Sequence, residues 1–136
     1  MKPVLLYIGA FLPFAWGIAH LAATRDVVKG FGDISEDNRR IITMEWIVEG
    51  AALIFIGVLV AFVTYLSRTS GFAAIVNYLE GVNAVSRGVY ITSFIMLNAM
   101  SVISLFTGFQ VRFLPFRLCP VIFTSASILI LLGAYI

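Results

Sequence analysis

Hydrophobic positions along this chain come in long, nearly unbroken runs, not in the alternation of a strand or the narrow stripe of a surface helix. A hydrocarbon core about 30 Å thick takes about 20 apolar helical residues to cross. Four stretches have that length: Pro3 to Ala22, Ile41 to Leu66, Gly88 to Phe109 and Pro115 to Ile136. The pattern predicts an all-α, polytopic membrane protein in which residues 1–136 form a single four-helix transmembrane domain. Asp33 followed by Glu36 resembles a capping box and predicts that the second helix opens near Ile34. Pro115 suits the first turn of the fourth helix. Between the second and third spans, Phe72, Ile75, Val76, Leu79 and Val82 recur at helical spacing. Joined to the third span, that segment would make a helix about 50 Å long, which overshoots the bilayer. A short interfacial helix bent away at Gly81 or Gly88 is therefore expected, with Glu80, Asn83 and Arg87 as its polar face.

Composition agrees with this picture and removes several functions. Hydrophobic residues make up 61% of the chain and charged residues 12%, with a mean hydropathy of +1.04; a soluble domain carries about twice that charged fraction. The formal net charge is only +2 and the basic residues lie in loops, so nucleic acid is not an expected partner. Cys119 is the only cysteine, which rules out an internal disulfide and dithiol redox chemistry; it reads as a small buried apolar residue. One histidine cannot supply two axial ligands to a haem, and no Gly-rich phosphate loop points to a nucleotide. Lys2 ahead of an apolar run imitates a signal peptide, but His20 and Leu21 break the small-x-small cleavage pattern, so an uncleaved first span is expected.

Basic residues choose an orientation. Arg25, Lys29, Arg39 and Arg40 in loop one and Arg112 and Arg117 in loop three face Lys2, Arg68 and Arg87 on the other side. Six against three places loops one and three in the cytoplasm and both termini outside, in an inner membrane. Trp46, Tyr65, Tyr7 and Tyr90 read as anchors at the membrane interfaces.

Two carboxylates stand where hydrocarbon is expected. A charged group at a helix centre costs about 2.5–3.5 kcal/mol on insertion scales, so each asks for an explanation. Glu45 and Glu49 lie four apart on the second span and share a helix face. Counted from Ile41, Glu49 is about 12 Å deep. His20 closes the first span at the same membrane face, with Trp16, Pro13 and Gly9 behind it on its helix. Asn98, in the middle of the third span, is placed to offer an amide to Glu49 if the second and third helices pack together. Plainer readings exist for each. Glu45 can snorkel to the headgroups and pair with Arg39 or Arg40, Glu49 can be a protonated acid that glues two helices, and His20 can be an interface residue bonded to a carbonyl. A metal held by His20, Glu45 and Glu49 is a further alternative, but the Glu-x-x-His pairs of dinuclear helical bundles do not occur. Gly50 and Gly57 allow a close helix neighbour, from this chain or a second copy.

The Gly-x-x-His from Gly17 to His20 and the run Glu-Gly-Ala-Ala-Leu-Ile-Phe-Ile-Gly from Glu49 to Gly57, in a short four-span chain, resemble the DoxX-like superfamily of small bacterial membrane proteins. The resemblance covers the first half of the chain. It implies the four-helix fold and a link to membrane redox chemistry or small apolar ligands. The doubled Glu45 and Glu49 match no site of that family.

The leading expectation is a binding or accessory protein with a pocket between spans one and two, formed by His20, Glu45, Glu49, Trp16 and Asn98, for a small apolar or protonatable ligand such as a quinone. In it Glu49 holds a proton, His20 is its hydrogen-bond partner and Glu45 leads to the aqueous rim. The alternatives are a proton-coupled carrier acting as a homodimer, a metal-dependent enzyme at His20, Glu45 and Glu49, and a subunit of a larger membrane complex whose polar residues are glue.

Overall fold

The computed structural model describes residues 1–68, 82–108, 111 and 114–136. Among them are four helices: α1 (Pro3–Gly30), α2 (Glu36–Leu66), α3 (Val82–Thr107) and α4 (Leu114–Tyr135). Each contains a stretch long and apolar enough to cross a membrane, so the chain is an all-α, multi-pass membrane protein.

Three of the helices begin or end away from their expected positions. α1 continues past Ala22 for two further turns to Gly30, because a helix needs only its own backbone hydrogen bonds and does not stop where hydropathy falls. It ends where Gly32 takes φ 71°, a left-handed conformation that suits a residue without Cβ. α2 is capped by Ser35, whose hydroxyl accepts the Asn38 N–H at 3.2 Å, and not by the Asp33–Glu36 pair. Glu36 falls in the first turn instead and pairs with Arg40 at 3.1 Å and, more loosely, with Arg39 at 3.9 Å. α3 runs unbroken through Gly88, so no bend separates Val82–Arg87 from the third span; the rest of the expected interfacial helix, including Glu80 and Gly81, lies outside the described residues.

Packing follows small residues, as expected where lipid tails compete with apolar side chains and only close fit discriminates. A Cβ on Gly17 would sit 2.5 Å from the Gly50 carbonyl oxygen, and one on Gly57 would sit 2.5 Å from that of Ala10. The neighbour of Gly50 and Gly57 is thus α1 of the same chain, running antiparallel. α4 covers another side of α1: the Lys2 N–H donates to the Gly133 carbonyl at 2.7 Å, and Trp16 reaches Cys119. α3 closes the bundle against α4 through Ser101, which bonds to the Pro120 carbonyl at 3.1 Å and the Thr124 hydroxyl at 2.8 Å. Its tie to α2 is Tyr90, whose hydroxyl lies 3.1 Å from that of Thr64. Tyr90 is 2% exposed and belongs to the core, so it is not an interface anchor.

These pairings fix the relative heights. Pro3 stands level with Thr64, and the near ends of α3 and α4 stand level with about Leu21 to Ala23 of α1. The α1–α2 hairpin therefore projects about two turns beyond the other helices on the loop-one side. α4, 22 residues long and about 33 Å, matches the hydrocarbon; the 28 residues of α1 reach about 42 Å and overshoot it.

Candidate functional site

Where the hairpin emerges from the bundle, the Gly17–Gly50 contact brings the following turns of α1 and α2 together, and His20 lies between two indoles. Its Nδ1 is 3.0 Å from the Trp16 carbonyl oxygen, which can only accept, so Nδ1 carries a hydrogen. Pro13 and Gly17, both buried, face the same side of α1 as His20, which is itself only 4% exposed. The Trp46 ring stacks on the imidazole at 4.5 Å and 21°, and Trp16 meets it edge-on at 5.7 Å. The His20 backbone carbonyl accepts two hydrogen bonds, from Trp46 Nε1 at 2.8 Å and Thr24 Oγ1 at 2.9 Å. Trp16 Nε1 in turn donates to Cys119 Sγ at 3.3 Å, and Phe116 packs on the outer side of Trp46 at 5.2 Å. Ring position and rotation are therefore set from three helices.

The other imidazole nitrogen is the unusual atom. His20 Nε2 is buried without a hydrogen-bond partner, and Glu49 Oε1 is 3.7 Å away, beyond hydrogen-bond reach. A buried polar atom left without a partner costs about 1–3 kcal/mol, so Nε2 gains by bonding to any donor that reaches it. The Glu49 side chain is 36% exposed, which keeps the pair reachable from outside the bundle.

The sequence-predicted residues separate into those brought together and those left apart. His20, Glu49 and Trp16 meet. Glu45 is exposed and, among the described residues, makes no hydrogen bond or ion pair; it sits level with the near ends of α3 and α4, at the root of the projecting part of α2. It does not pair with Arg39 or Arg40, both of which turn to Glu36. Asn98 donates to the Phe94 carbonyl of its own helix at 2.8 Å, and the Thr64–Tyr90 register puts it about two turns from Glu49. No group of three His, Cys, Asp or Glu side chains that could hold a metal occurs among the described residues, so His20, Glu45 and Glu49 are not gathered into a ligand set. Trp46, Phe116 and Cys119 are the residues that sequence reasoning missed. Trp46 was legible: it lies three before Glu49 and four before Gly50, on the face that must meet α1.

A cavity of about 360 Å³ lies beside this cage, lined by Asp26, Val27, Gly30, Phe31, Val111 and Phe116. Phe116 and Trp46 stand between it and His20, so it is a separate space. No family model matches the chain, and no curated protein or solved structure matches it either; the class of protein rests on the fold itself, a multi-pass helical membrane bundle.

Proposed function

We propose that this chain is a small inner-membrane binding protein whose His20–Glu49 pair takes a small apolar molecule with a hydroxyl or carbonyl group, a quinone or quinol being the simplest of that class. The supporting observation is the buried, unpartnered Nε2 of His20 beside Glu49. With hydrogen on Nδ1, a neutral imidazole presents a lone pair at Nε2 and accepts a quinol hydroxyl. Glu49, when it holds a proton, donates to a quinone carbonyl, and Trp16 and Trp46 supply flat apolar walls. Glu45 stands one turn nearer the surface, between the pair and the headgroups. Loops one and three face the cytoplasm in this reading, which puts the site near the cytoplasmic leaflet.

The test uses the two tryptophans as reporters. Titration of the purified protein in nanodiscs with decylubiquinone should quench Trp fluorescence saturably, with quenching reduced to simple partitioning in His20→Ala and the affinity at least tenfold weaker in Glu49→Gln. Non-saturating quenching in the unsubstituted protein, equal to that of free tryptophan in the same bilayer, would reject the reading.

A further inference from the structure

On the opposite flank of the projecting hairpin, a groove of about 430 Å³ runs between α1 and α2, and Arg25, Lys29 and Arg39 line it together with Leu21 and Val28. Arg25 and Lys29 are four apart, on one face of α1. Neither makes an ion pair among the described residues, and the groove has no carboxylate in its lining. Asp26 lines the cavity on the other side of α1, and Glu36 is engaged by Arg40 at 3.1 Å, leaving Arg39 only a loose 3.9 Å contact. The hydroxyls of Thr24 and Thr43 are spent on the His20 and Arg39 carbonyls. The donors left in the groove are the three cations.

Depth decides what would meet them. α1 outruns the hydrocarbon by about 12 Å on this side, so Arg25 and Lys29 stand at headgroup level, and the exposed Leu21 and Ala22, one turn below them on α1, lead toward the acyl chains. A cationic mouth above an apolar wall fits a phosphate joined to a hydrocarbon tail better than a free anion. We infer that the groove between α1 and α2 binds the phosphate of an anionic phospholipid through Arg25, Lys29 and Arg39, with an acyl chain laid along Leu21 and Ala22. The site is independent of His20 and Glu49, and either proposal can fail alone.

Each basic residue near an anionic surface strengthens binding about fivefold. Native mass spectrometry of the detergent-solubilised protein should show one retained phosphatidylglycerol, bound at least tenfold more tightly than phosphatidylcholine and not displaced by millimolar inorganic phosphate. The double variant Arg25→Gln, Lys29→Gln should lose about 25-fold in that affinity, whereas Arg68→Gln, at the far end of α2, should not. Both changes fall on exposed side chains, and helix content by circular dichroism checks that the fold survives. Equal retention of the two lipids, displacement by inorganic phosphate, or an unchanged affinity in the double variant would each overturn the assignment.

Discussion

Gly17 and Gly50 show how single residues set the site. They face each other across the α1–α2 contact, yet they are not equivalent: a Cβ on Gly17 would press within 2.5 Å of a backbone oxygen, whereas one on Gly50 would meet the movable Leu21 side chain at 3.0 Å and the Gly17 carbonyl oxygen only at 3.1 Å. Alanine also raises helix propensity by about 1 kcal/mol over glycine, which offsets the tighter fit at Gly50 but not at Gly17. Gly17→Ala is thus expected to destabilise the protein by about 1–3 kcal/mol and to disturb the His20 environment, with Gly50→Ala close to neutral; unfolding in mixed micelles with Trp fluorescence as the probe distinguishes them, and equal losses would count against the register described. Trp46→Phe keeps the stack on His20 but removes one donor to a carbonyl that Thr24 still satisfies. Its cost should be about 1 kcal/mol or less. At this scale the sequence exposed half of the site. His20 and Glu49 stood out because ionisable groups are rare in apolar runs, and Trp46 could have been found from its spacing to Glu49 and Gly50, while Cys119 and Phe116 look like ordinary span residues until α1, α2 and α4 are assembled.

For the helices, length and order were legible because hydrocarbon thickness imposes them, and ends were not. Ser35 and Asp33 are both competent caps, and only the hydrogen bond from Asn38 selects Ser35. Tyr90 illustrates the same limit: a tyrosine near a span end suits either a headgroup or a buried hydroxyl partner, and Thr64 on another helix decides it. The signal that was available is the buried series Ser86, Tyr90, Ser93, Leu97 and Ser101 at spacings of three and four, three serines alternating with two large residues. Thr64 donates to the Val60 carbonyl at 2.7 Å, so Tyr90 supplies the proton of the shared bond. Tyr90→Phe is expected to cost only about 0.6 kcal/mol, the average for such bonds between membrane helices. Tyr90→Ala should cost about 3–5 kcal/mol through the cavity it leaves. A loss for Tyr90→Phe as large as that for Tyr90→Ala, in the same unfolding assay, would mean that the hydroxyl organises more of the α2–α3 contact than a single bond.

Over the whole molecule, the projecting α1–α2 hairpin is the feature that composition could not show, since it depends on how the helices are staggered. It moves Glu49 from the depth of about 12 Å that a count from Ile41 had given it to about one turn inside the near face, beside His20. The orientation of the hairpin is testable directly: with Cys119 replaced by Ser, Lys29→Cys should resist a membrane-impermeant thiol reagent in intact cells and react after permeabilisation, and rapid labelling in intact cells would reverse the topology. The central claim, that the pair is a ligand site and not a structural bond, meets its most direct test in ¹⁵N magnetic resonance of the protein in nanodiscs. His20 is the only histidine, so its two ring nitrogens are the only imidazole signals. Without ligand, Nδ1 should report a hydrogen-bonded N–H and Nε2 a lone pair without a strong partner; decylubiquinol should then shift Nε2, and Glu49→Gln should reduce that response while leaving Nδ1 in place. A ligand-free Nε2 already locked in a strong bond to Glu49, or one that saturating decylubiquinol leaves unmoved, would contradict it.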